Sequence, residues 1–318
     1  MPRTIPKWIQ KLVMGPTLGR IDALEDRVAA MAEAHRWVAD SPVRFEIMRE
    51  KLKRAGGGPD RSLARYIPAI IAGVSRSMTS LKKNPRQPIE RAPEGFLADV
   101  EQYARSLGVS SVGYTRVPER WVFQGKALLH LNAIVLTMEM DKTRIDTAPS
   151  PAGAQTVFET YRDLGVAANK IAAYLRRHGY SAHAAHPLMG PALYPPLAQM
   201  AGLGWLGTSG LIVTPEHGPR VRLAAVLTNI ENLPSAPPNE HAWVAEFCAQ
   251  CQICVRKCPA EAILPEPIHH ENGQITCVST PRCFPYFCDH HGCSVCIKVC
   301  PFNNTRYERI KQGLKAKE

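Results

Sequence analysis

Hydrophobic and polar positions change their spacing near residue 92, which predicts two kinds of structure in one chain. From Ile21 to Val38, apolar residues recur at alternating intervals of three and four, the spacing of one face of an amphipathic helix. A glycine-rich run at residues 56–60 then interrupts the pattern, and prolines loosen the chain again before residue 94. Residues 1–91 are therefore expected to form a helical N-terminal extension.

Beyond residue 92, helical and extended patterns alternate, which is typical of a mixed α/β (α+β) domain. One helix opens at Pro93 and stops at Gly108, with proline just inside its start and glycine just past its end. A longer helix carries apolar residues from Val157 to Leu175 and stops at Gly179. Strands are predicted at residues 109–114, 132–138, 180–184 and 221–228. Residues 92–245 are assigned to this domain.

The composition is that of an ordinary globular protein: of 318 residues, 45% are hydrophobic and 21% are charged. The longest apolar stretches, such as Ile67 to Val74, are far too short to span a bilayer. The N-terminus has neither the long apolar core of a secretory signal nor a twin-arginine pair. A cytoplasmic location without a transmembrane segment is expected, and peripheral membrane contact is left open.

The formal net charge of +11 is unevenly distributed along the chain. Residues 61–93 carry seven Lys or Arg against one acid, Glu90. A solvated basic face and a docking patch explain this bias equally well. An acidic electron donor, a nucleic acid or an anionic membrane surface are the partners that such a field would attract.

Gly202, Gly204 and Gly207 match the G-x-G-x-x-G fingerprint of dinucleotide-binding proteins. That fingerprint needs a strand before the glycines and a helix after them. Here Tyr194-Pro195-Pro196 precedes the glycines, a strand-like run from Leu211 follows, and no acidic residue lies about twenty positions on. We therefore disfavour a nicotinamide site and expect the glycines to let backbone approach a flat, bulky group or to form a tight loop.

Two cysteine ladders lie near the C-terminus. They read Cys248-x2-Cys251-x2-Cys254-x3-Cys258-Pro259 and Cys293-x2-Cys296-x3-Cys300-Pro301. The first is the bacterial-ferredoxin spacing, in which three thiolates hold one [4Fe–4S] cluster and the fourth reaches across to another. The second repeats it with its first cysteine displaced upstream. Two [4Fe–4S] clusters close enough to exchange electrons are therefore predicted in a ferredoxin-like module at residues 246–318.

Structural zinc and disulfides are the alternatives to iron–sulfur clusters. Paired C-x2-C units also form four-sulfur zinc sites, but zinc needs only two such pairs and leaves the repeated x3-Cys-Pro unexplained. Disulfides are less favoured still, because the expected location is cytoplasmic.

The ladders supply seven thiolates, one fewer than two four-thiolate clusters need. The missing ligand is Cys277, Cys283 or Cys288, and position alone does not decide among them. Cys283 is preferred because aromatic residues able to shield a cluster flank its turn. The predicted ligand sets are Cys248, Cys251, Cys254 and Cys300 for one cluster, and Cys258, Cys283, Cys293 and Cys296 for the other.

Several stretches in combination resemble one known group of enzymes. They are residues 133–141, the long helix around Tyr161, the glycine loop at 201–207, residues 211–223 and 226–228, and the paired ladders. Across roughly residues 92 to 304, the chain resembles the corrinoid-dependent iron–sulfur reductases, which are the reductive dehalogenases and the epoxyqueuosine reductases. The turn from Arg282 to Tyr286 also looks like the displaced cluster ligand of that family.

The resemblance implies a nitroreductase-like α/β domain that holds base-off cobalamin beside the two clusters. Gly202, Gly204, Gly207 and Thr208 would form part of the corrinoid-binding loop. Electrons would pass from reduced ferredoxin or a flavodoxin-type donor through the clusters to cobalt, which reduces a small organic substrate. Clusters of this class reach potentials as low as roughly −700 mV, so the module can supply a difficult reduction.

Proton supply is where the sequence departs from that family. The resemblance assigns the catalytic tyrosine to Tyr161, although this residue lies on an apolar helix face, where tyrosines usually fill a core. Dehalogenases of the family pair the tyrosine with a Lys or Arg that lowers its pKa and usually follows the last glycine of the loop. Thr208 occupies that place here. Either Arg220 or Arg222 substitutes, or the chemistry differs from dehalogenation, or no organic substrate is reduced.

Three functions follow, in order of preference. The first is a cobalamin-dependent iron–sulfur reductase similar to reductive dehalogenases. The second is an iron–sulfur electron-transfer protein that docks on a redox partner and has no substrate chemistry of its own. The third is an enzyme like tRNA epoxyqueuosine reductase. It ranks last, and nucleic acid is a disfavoured partner, because we recognise neither an RNA-binding module nor the family's acid-bearing Arg-Asp-Tyr-His segment.

His183 and His186, just after the long helix, are weaker candidates for function. They are able to line a pocket, donate a proton or ligate a metal. Histidines on loops are mostly solvated or hydrogen-bonded, so we expect no specific role for this pair.

Overall fold

The computed structural model describes residues 20–31 except 22, residues 61–123, 126–235, 238–271 and 273–315. Residues 20, 21 and 23–31 are helical, so the helix predicted from Ile21 is present as far as residue 31. Its continuation to Val38 and the glycine-rich run at 56–60 lie outside the described residues. Ile21 and Val28 are buried, whereas Met31 on the same predicted stripe is 53% exposed.

Helices and strands alternate through the rest of the described chain. The α-helices are α1 (Arg61–Ala64), α2 (Ile67–Thr79), α3 (Phe96–Ser106), α4 (Lys142–Ile145), α5 (Pro151–Arg177), α6 (Tyr194–Met200), α7 (Trp243–Cys251), α8 (Ile253–Arg256), α9 (Thr280–Asp289), α10 (Val295–Lys298), α11 (Pro301–Asn304) and α12 (Tyr307–Lys315). The strands are β1 (Ser111–Arg116), β2 (Asn132–Glu139), β3 (Ala182–Ala185), β4 (Trp205–Leu206), β5 (Ile212–Val213), β6 (Val221–Thr228), β7 (Ile263–His269) and β8 (Ile275–Val278). Short 3-10 turns cover Ser80–Lys83 and Glu119–Trp121.

The central sheet has four antiparallel strands in the order β1-β2-β6-β3. Strands β2 and β6 pair from Asn132 opposite Thr228 to Glu139 opposite Val221. Two smaller hairpins, β4-β5 and β7-β8, stand apart from this sheet. The predicted mixed α/β class is confirmed.

Both faces of the sheet are buried, because helices cover each of them. Ile134 and Leu136 on β2 face the core shared with α3 and α5, while Ala133 and Val135 face the core shared with α6. Successive side chains of a strand point to opposite faces, so one strand serves two cores. Each buried leucine or isoleucine of this kind stabilises the fold by about 1.5–3 kcal/mol.

The helix stops at Gly108 and Gly179 are where the glycine pattern predicts them, with φ of +85° and +87°. The next residue caps the helix in both cases: the N–H of Val109 donates to the Ala104 carbonyl, and that of Tyr180 to the Leu175 carbonyl. Because these residues are used as caps, β1 and β3 begin two residues later than predicted. The prediction for β6 is confirmed at both ends.

Within the described residues, no helix is both long enough and apolar enough to cross a bilayer. Helix α5, the long helix of the prediction, is amphipathic rather than uniformly apolar. It packs on β3 and β6 with one face and on α2 with another.

His183 and His186 are both buried, and His186 Nδ1 is hydrogen-bonded to the backbone of Leu188. His183 lies on β3, and the ring of His186 packs between Gly73 of α2 and Gly165 of α5. The two residues line a small cavity of about 30 Å³, which is room for one water molecule. Burial lowers the pKa of each imidazole to about 4, so both are neutral near pH 7.

Gly165→Ala is predicted to destabilise the protein by about 1–3 kcal/mol, because the added methyl group would overlap the His186 ring. Gly313→Ala is the matched control, since it lies in α12 with open space around it. It should be neutral or stabilising by about 0.5–1 kcal/mol. Chemical denaturation measures both. Equal stability of the two variants would show that the His186 contact is not tight.

Acidification is predicted to weaken the fold through the two buried histidines. Their pKa values lie below the unfolded value, so the unfolded chain binds protons first as the pH falls from about 6.5 to about 4. Each histidine accounts for at most roughly 3 kcal/mol of this loss. His186→Gln should flatten the dependence of the unfolding free energy on pH, and exposed His269→Gln should not. An unchanged slope in the His186 variant would contradict this assignment.

Candidate metal centre

The two cysteine ladders fold in the same way. Gln252 and Ser294 have left-handed backbone conformations, with φ of 51° and 67°, immediately before the short helices α8 and α10. Cys254 and Cys296 are the second residues of these helices, and α8 contacts α10. The repeated spacing in the sequence therefore corresponds to a repeated turn-and-helix unit in the structure.

The last cysteine of the second ladder lies beside the first ladder. Cys300 precedes Pro301 at the start of α11, and its electrostatic neighbours are Cys248, Cys254 and Cys251. These four residues are the first predicted ligand set. The structure brings them together, and their role as cluster ligands stays a prediction.

The second predicted set is also brought together. Cys296 has Cys293, Cys283 and Cys258 among its neighbours, and Cys293 also interacts with Cys258. Cys258, the last thiol of the first ladder, thus lies with the second group. Cys254 neighbours both Cys296 and Cys300, so the two groups are adjacent.

The chemistry of these thiols fits iron–sulfur clusters. Burial, together with the neighbouring thiols, raises the pKa of Cys248 to about 11 and that of Cys296 to about 12. Thiolates in such a place need positive charge to offset burial and mutual repulsion, and iron ions supply it. In the described residues, no three His, Cys, Asp or Glu side chains are close enough to hold a single ion. Thiolates that bind the corners of a [4Fe–4S] cube lie farther apart than thiolates around one zinc ion, so the spacing of these cysteines fits a cluster.

Backbone N–H groups point at several of these sulfurs. The N–H of Ala262 donates to Cys258 Sγ at 3.3 Å, and those of Thr208 and Phe302 interact with Cys248 and Cys300. Such donors stabilise negative charge on sulfur and tune the potential of a cluster.

The three candidates for the eighth ligand occupy different places. Cys283, on α9, is a neighbour of Cys296. Cys277, on β8, is buried against Gly210 and neighbours Cys254 of the other group. Cys288 is exposed.

The glycine loop reaches the metal centre at its last residues only. A Cβ at Gly207 would lie 3.4 Å from Cys248 Sγ, and Thr208 is buried with its N–H directed at the same sulfur. Gly202 has a φ of +72° just after α6, and Gly204 approaches the Val213 carbonyl too closely for any side chain. The backbone conformation at Gly202 and the close approach at Gly204 explain why glycine occupies these two positions. The corrinoid-binding role of the loop stays a prediction.

Tyr161 lies in an apolar cluster that includes Cys296 and Leu211, half-buried on α5. The guanidinium of Arg222, on β6, stands 4.9 Å from the centroid of the Tyr161 ring. Its Nε is buried without a hydrogen-bond partner among the described residues. A buried donor without an acceptor is costly, so this position suits a bound polar group.

Arg220 has a different task from Arg222. Its guanidinium donates to Asn303 Oδ1 at 2.5 Å, to Glu139 Oε1 at 2.8 Å and to the Met140 carbonyl at 3.2 Å. This buried network connects the central sheet to α11, the helix that begins directly after Cys300. Of the two arginines considered from sequence, Arg222 is therefore the one beside Tyr161.

No protein-family model matches the chain. A tetrachloroethene reductive dehalogenase from Desulfitobacterium hafniense is 33% identical over 222 residues, which are 64% of this chain and 39% of that protein. Another from Sulfurospirillum multivorans is 32% identical over 180 residues, 54% of this chain and 35% of that protein. An epoxyqueuosine reductase from Listeria monocytogenes is 33% identical over 117 residues, 34% of this chain and 28% of that protein.

The resemblance to the corrinoid-dependent iron–sulfur reductases is confirmed. The chain spans 39% or less of the length of these three relatives. An epoxyqueuosine reductase is among them, so the prediction that nucleic acid is a disfavoured partner is not supported.

Solved structures show the same fold. The catabolic reductive dehalogenase NpRdhA, in complex with 3-bromo-4-hydroxybenzoic acid, superposes with a TM-score of 0.71 at 20% identity, over 88% of this chain and 44% of that one. A reductive dehalogenase whose structure suggests a mechanism for B12-dependent dehalogenation gives a TM-score of 0.72 at 20% identity, over 90% and 44%. At this identity the likeness concerns the fold alone.

Cys283→Ser is predicted to remove one of the two clusters. Anaerobically reconstituted protein should fall from about eight iron atoms per chain to about four, because the thiolate set around Cys296 loses a member. Cys288→Ser, on the same helix, is the control and should keep its iron. The reverse pattern would assign the eighth ligand to Cys288.

Proposed function

We propose that the chain acts as a cobalamin-dependent iron–sulfur reductase, in which two [4Fe–4S] clusters pass electrons to a corrinoid that reduces a small organic substrate. The observation that carries this proposal is the position of Tyr161 and Arg222. They form a proton donor and cation pair, and Tyr161 of this pair lies in the apolar cluster that also contains Cys296. A redox centre and an acid are thereby within one site.

The proposed organisation follows the predicted boundaries. Residues 92–245 form a nitroreductase-like corrinoid-binding domain, residues 246–318 a ferredoxin-like module for two clusters, and residues 1–91 the N-terminal extension. The crossing of Cys258 and Cys300 between the two thiol groups supports the ferredoxin-like arrangement.

Each group of the site has a proposed task. The clusters are held by Cys248, Cys251, Cys254 and Cys300, and by Cys258, Cys283, Cys293 and Cys296. The corrinoid would be held by Gly207, Thr208 and Arg222, together with Gly202 and Gly204 through the shape of their loop. When bound, a corrinoid supplies low-potential electrons to a carbon–halogen or similar bond.

Tyr161 donates the proton that replaces the leaving group, and Arg222 stabilises the phenolate that remains. The overall reaction consumes two electrons and one proton, breaks the bond to the leaving group as an anion, and forms a C–H bond. Reduced ferredoxin or a flavodoxin-type donor supplies the electrons through the clusters. Arg222 thus supplies the positive charge that the Lys or Arg of the family provides at the position of Thr208.

Two observations favour other functions. Thr208 is buried and its N–H is directed at Cys248, which suits an electron-transfer protein whose loop serves only the cluster. The epoxyqueuosine reductase relative favours a modified tRNA nucleoside as substrate. Corrinoid binding excludes the first of these functions, and the nature of the substrate decides the second.

Removing the Tyr161 hydroxyl or the Arg222 charge is predicted to slow catalysis. Tyr161→Phe and Arg222→Gln should each lower kcat by about 100-fold or more, as expected for a lost general acid. Arg222→Lys should recover part of the rate. The assay uses 3-bromo-4-hydroxybenzoic acid or tetrachloroethene with a chemical reductant. Arg116→Gln, an exposed arginine on β1, is the control, and full activity in Tyr161→Phe would contradict the assignment.

Corrinoid binding tests the proposal as a whole. Anaerobic titration of the cluster-loaded protein with cob(II)alamin should show one equivalent bound, with the absorbance change of a displaced lower base. Arg222→Gln should bind more weakly, because the buried Nε–H is lost. If the cluster-loaded protein bound no corrinoid, the reductase proposal would be wrong and the electron-transfer function would stand.

A further inference from the structure

A basic groove lies near the C-terminal end of α5, between this helix, α2 and the 3-10 turn at Ser80–Lys83. Its volume is about 820 Å³, within the range of small-molecule sites. Of its described lining residues, none is acidic or aromatic. Five are cations: Arg76, Lys82, Lys83, Arg176 and Arg177.

No carboxylate of the described residues neutralises the charge in this groove. None of the five cations forms an ion pair with a carboxylate in the described part of the chain. Arg176 is half-buried and donates to the Ala182 carbonyl, and burial lowers the pKa of its guanidinium. Its positive charge is therefore held in place without a counter-charge from the residues that the structure describes.

Helix dipoles do not account for so many cations. The C-terminal ends of α2, of the 3-10 turn and of α5 all border the groove. The five cations lie in the last turns of these three elements. Each helix end carries roughly half a negative charge, so three ends offset only about 1.5 of five positive charges. A net positive potential of several charges remains for a ligand.

The floor of the groove is rigid. Asn169 Nδ2 donates to the Gly73 carbonyl of α2 at 3.1 Å and to the Gly165 carbonyl at 2.9 Å. This amide fixes the spacing of α2 and α5, which carry three of the five cations. A preorganised arrangement costs little to order when a ligand binds.

The groove is remote from the metal centre. Val157 of α5 packs beside Cys296 in one apolar cluster, whereas Arg176 is nineteen residues further along the same helix. At 1.5 Å per residue this is about 28 Å. Electron tunnelling decays steeply with distance, so the groove does not suit a docked electron donor.

We propose that this groove binds a small phosphorylated molecule that carries two or more negative charges. Lysine and arginine are the residues that recognise phosphate. The lack of aromatic lining removes the stacking surface on which single-stranded nucleic acid depends. The site is independent of the corrinoid proposal and gives the basic segment at 61–93 a specific task through three of its residues.

Isothermal titration of the full cluster-loaded chain with inorganic pyrophosphate tests the proposal. One equivalent should bind, and Lys82→Gln/Lys83→Gln should weaken the affinity by about 10-fold or more, the effect of losing one or two charge-assisted contacts. Arg306→Gln/Lys311→Gln removes two positive charges near the C-terminus and should leave the affinity unchanged. Fructose 1,6-bisphosphate should compete for the same site, as expected for a phosphate ester.

Three results would overturn the assignment. The first is no binding of pyrophosphate or of the bisphosphate. The second is an equal loss of affinity in the two double variants, because the attraction would then come from overall charge. The third is a single-stranded RNA that displaces both anions and loses affinity in Lys82→Gln/Lys83→Gln, because the groove would then be a nucleic-acid surface.

Discussion

Each cysteine ladder places its last thiol in the group formed by the other, and the rest of the site depends on this exchange. Cys300 lies with the first group and Cys258 with the second, so neither group is complete within one stretch of chain. The two short helices α8 and α10 must therefore stay side by side. Any cofactors held by these thiols are consequently neighbours, which is the condition for electrons to move between them.

The α/β body contributes a rigid support for this module. Arg220, just before β6, donates to Asn303 of α11, and Lys298 Nζ donates to the Ala148 carbonyl at 2.8 Å. Helix α5 brings Tyr161 to the same side of the molecule, where Arg222 lies over its ring. The polar contacts are buried or half-buried, so losing one partner leaves the other unsatisfied, which costs about 1–3 kcal/mol.

Local patterns in the sequence predicted much of this structure. The glycine stops at Gly108 and Gly179 and the strand at Val221–Thr228 follow from residue type and periodicity alone. The division of the thiols into two groups follows from spacing, because the ferredoxin pattern itself requires the exchange. The predicted starts of β1 and β3 were two residues too early, since the residue after each glycine caps a helix instead of pairing in the sheet.

Contacts between distant segments could not be predicted in this way. Sequence offered both Arg220 and Arg222 as substitutes for a missing cation, and only the tertiary fold separates a structural arginine from one beside Tyr161. The burial of His186 depends on glycines in two different helices. The basic groove likewise combines the 61–93 segment with the end of α5, nearly a hundred residues later.

The most direct test of this account is the electron paramagnetic resonance spectrum of the fully reduced chain, recorded with its iron, sulfide and zinc content. Two adjacent four-iron clusters predict about eight iron and eight sulfide per chain, no stoichiometric zinc, and signals broadened by magnetic interaction between the clusters. A single zinc, or one isolated four-iron signal from a chain with all ten cysteines intact, would contradict the account.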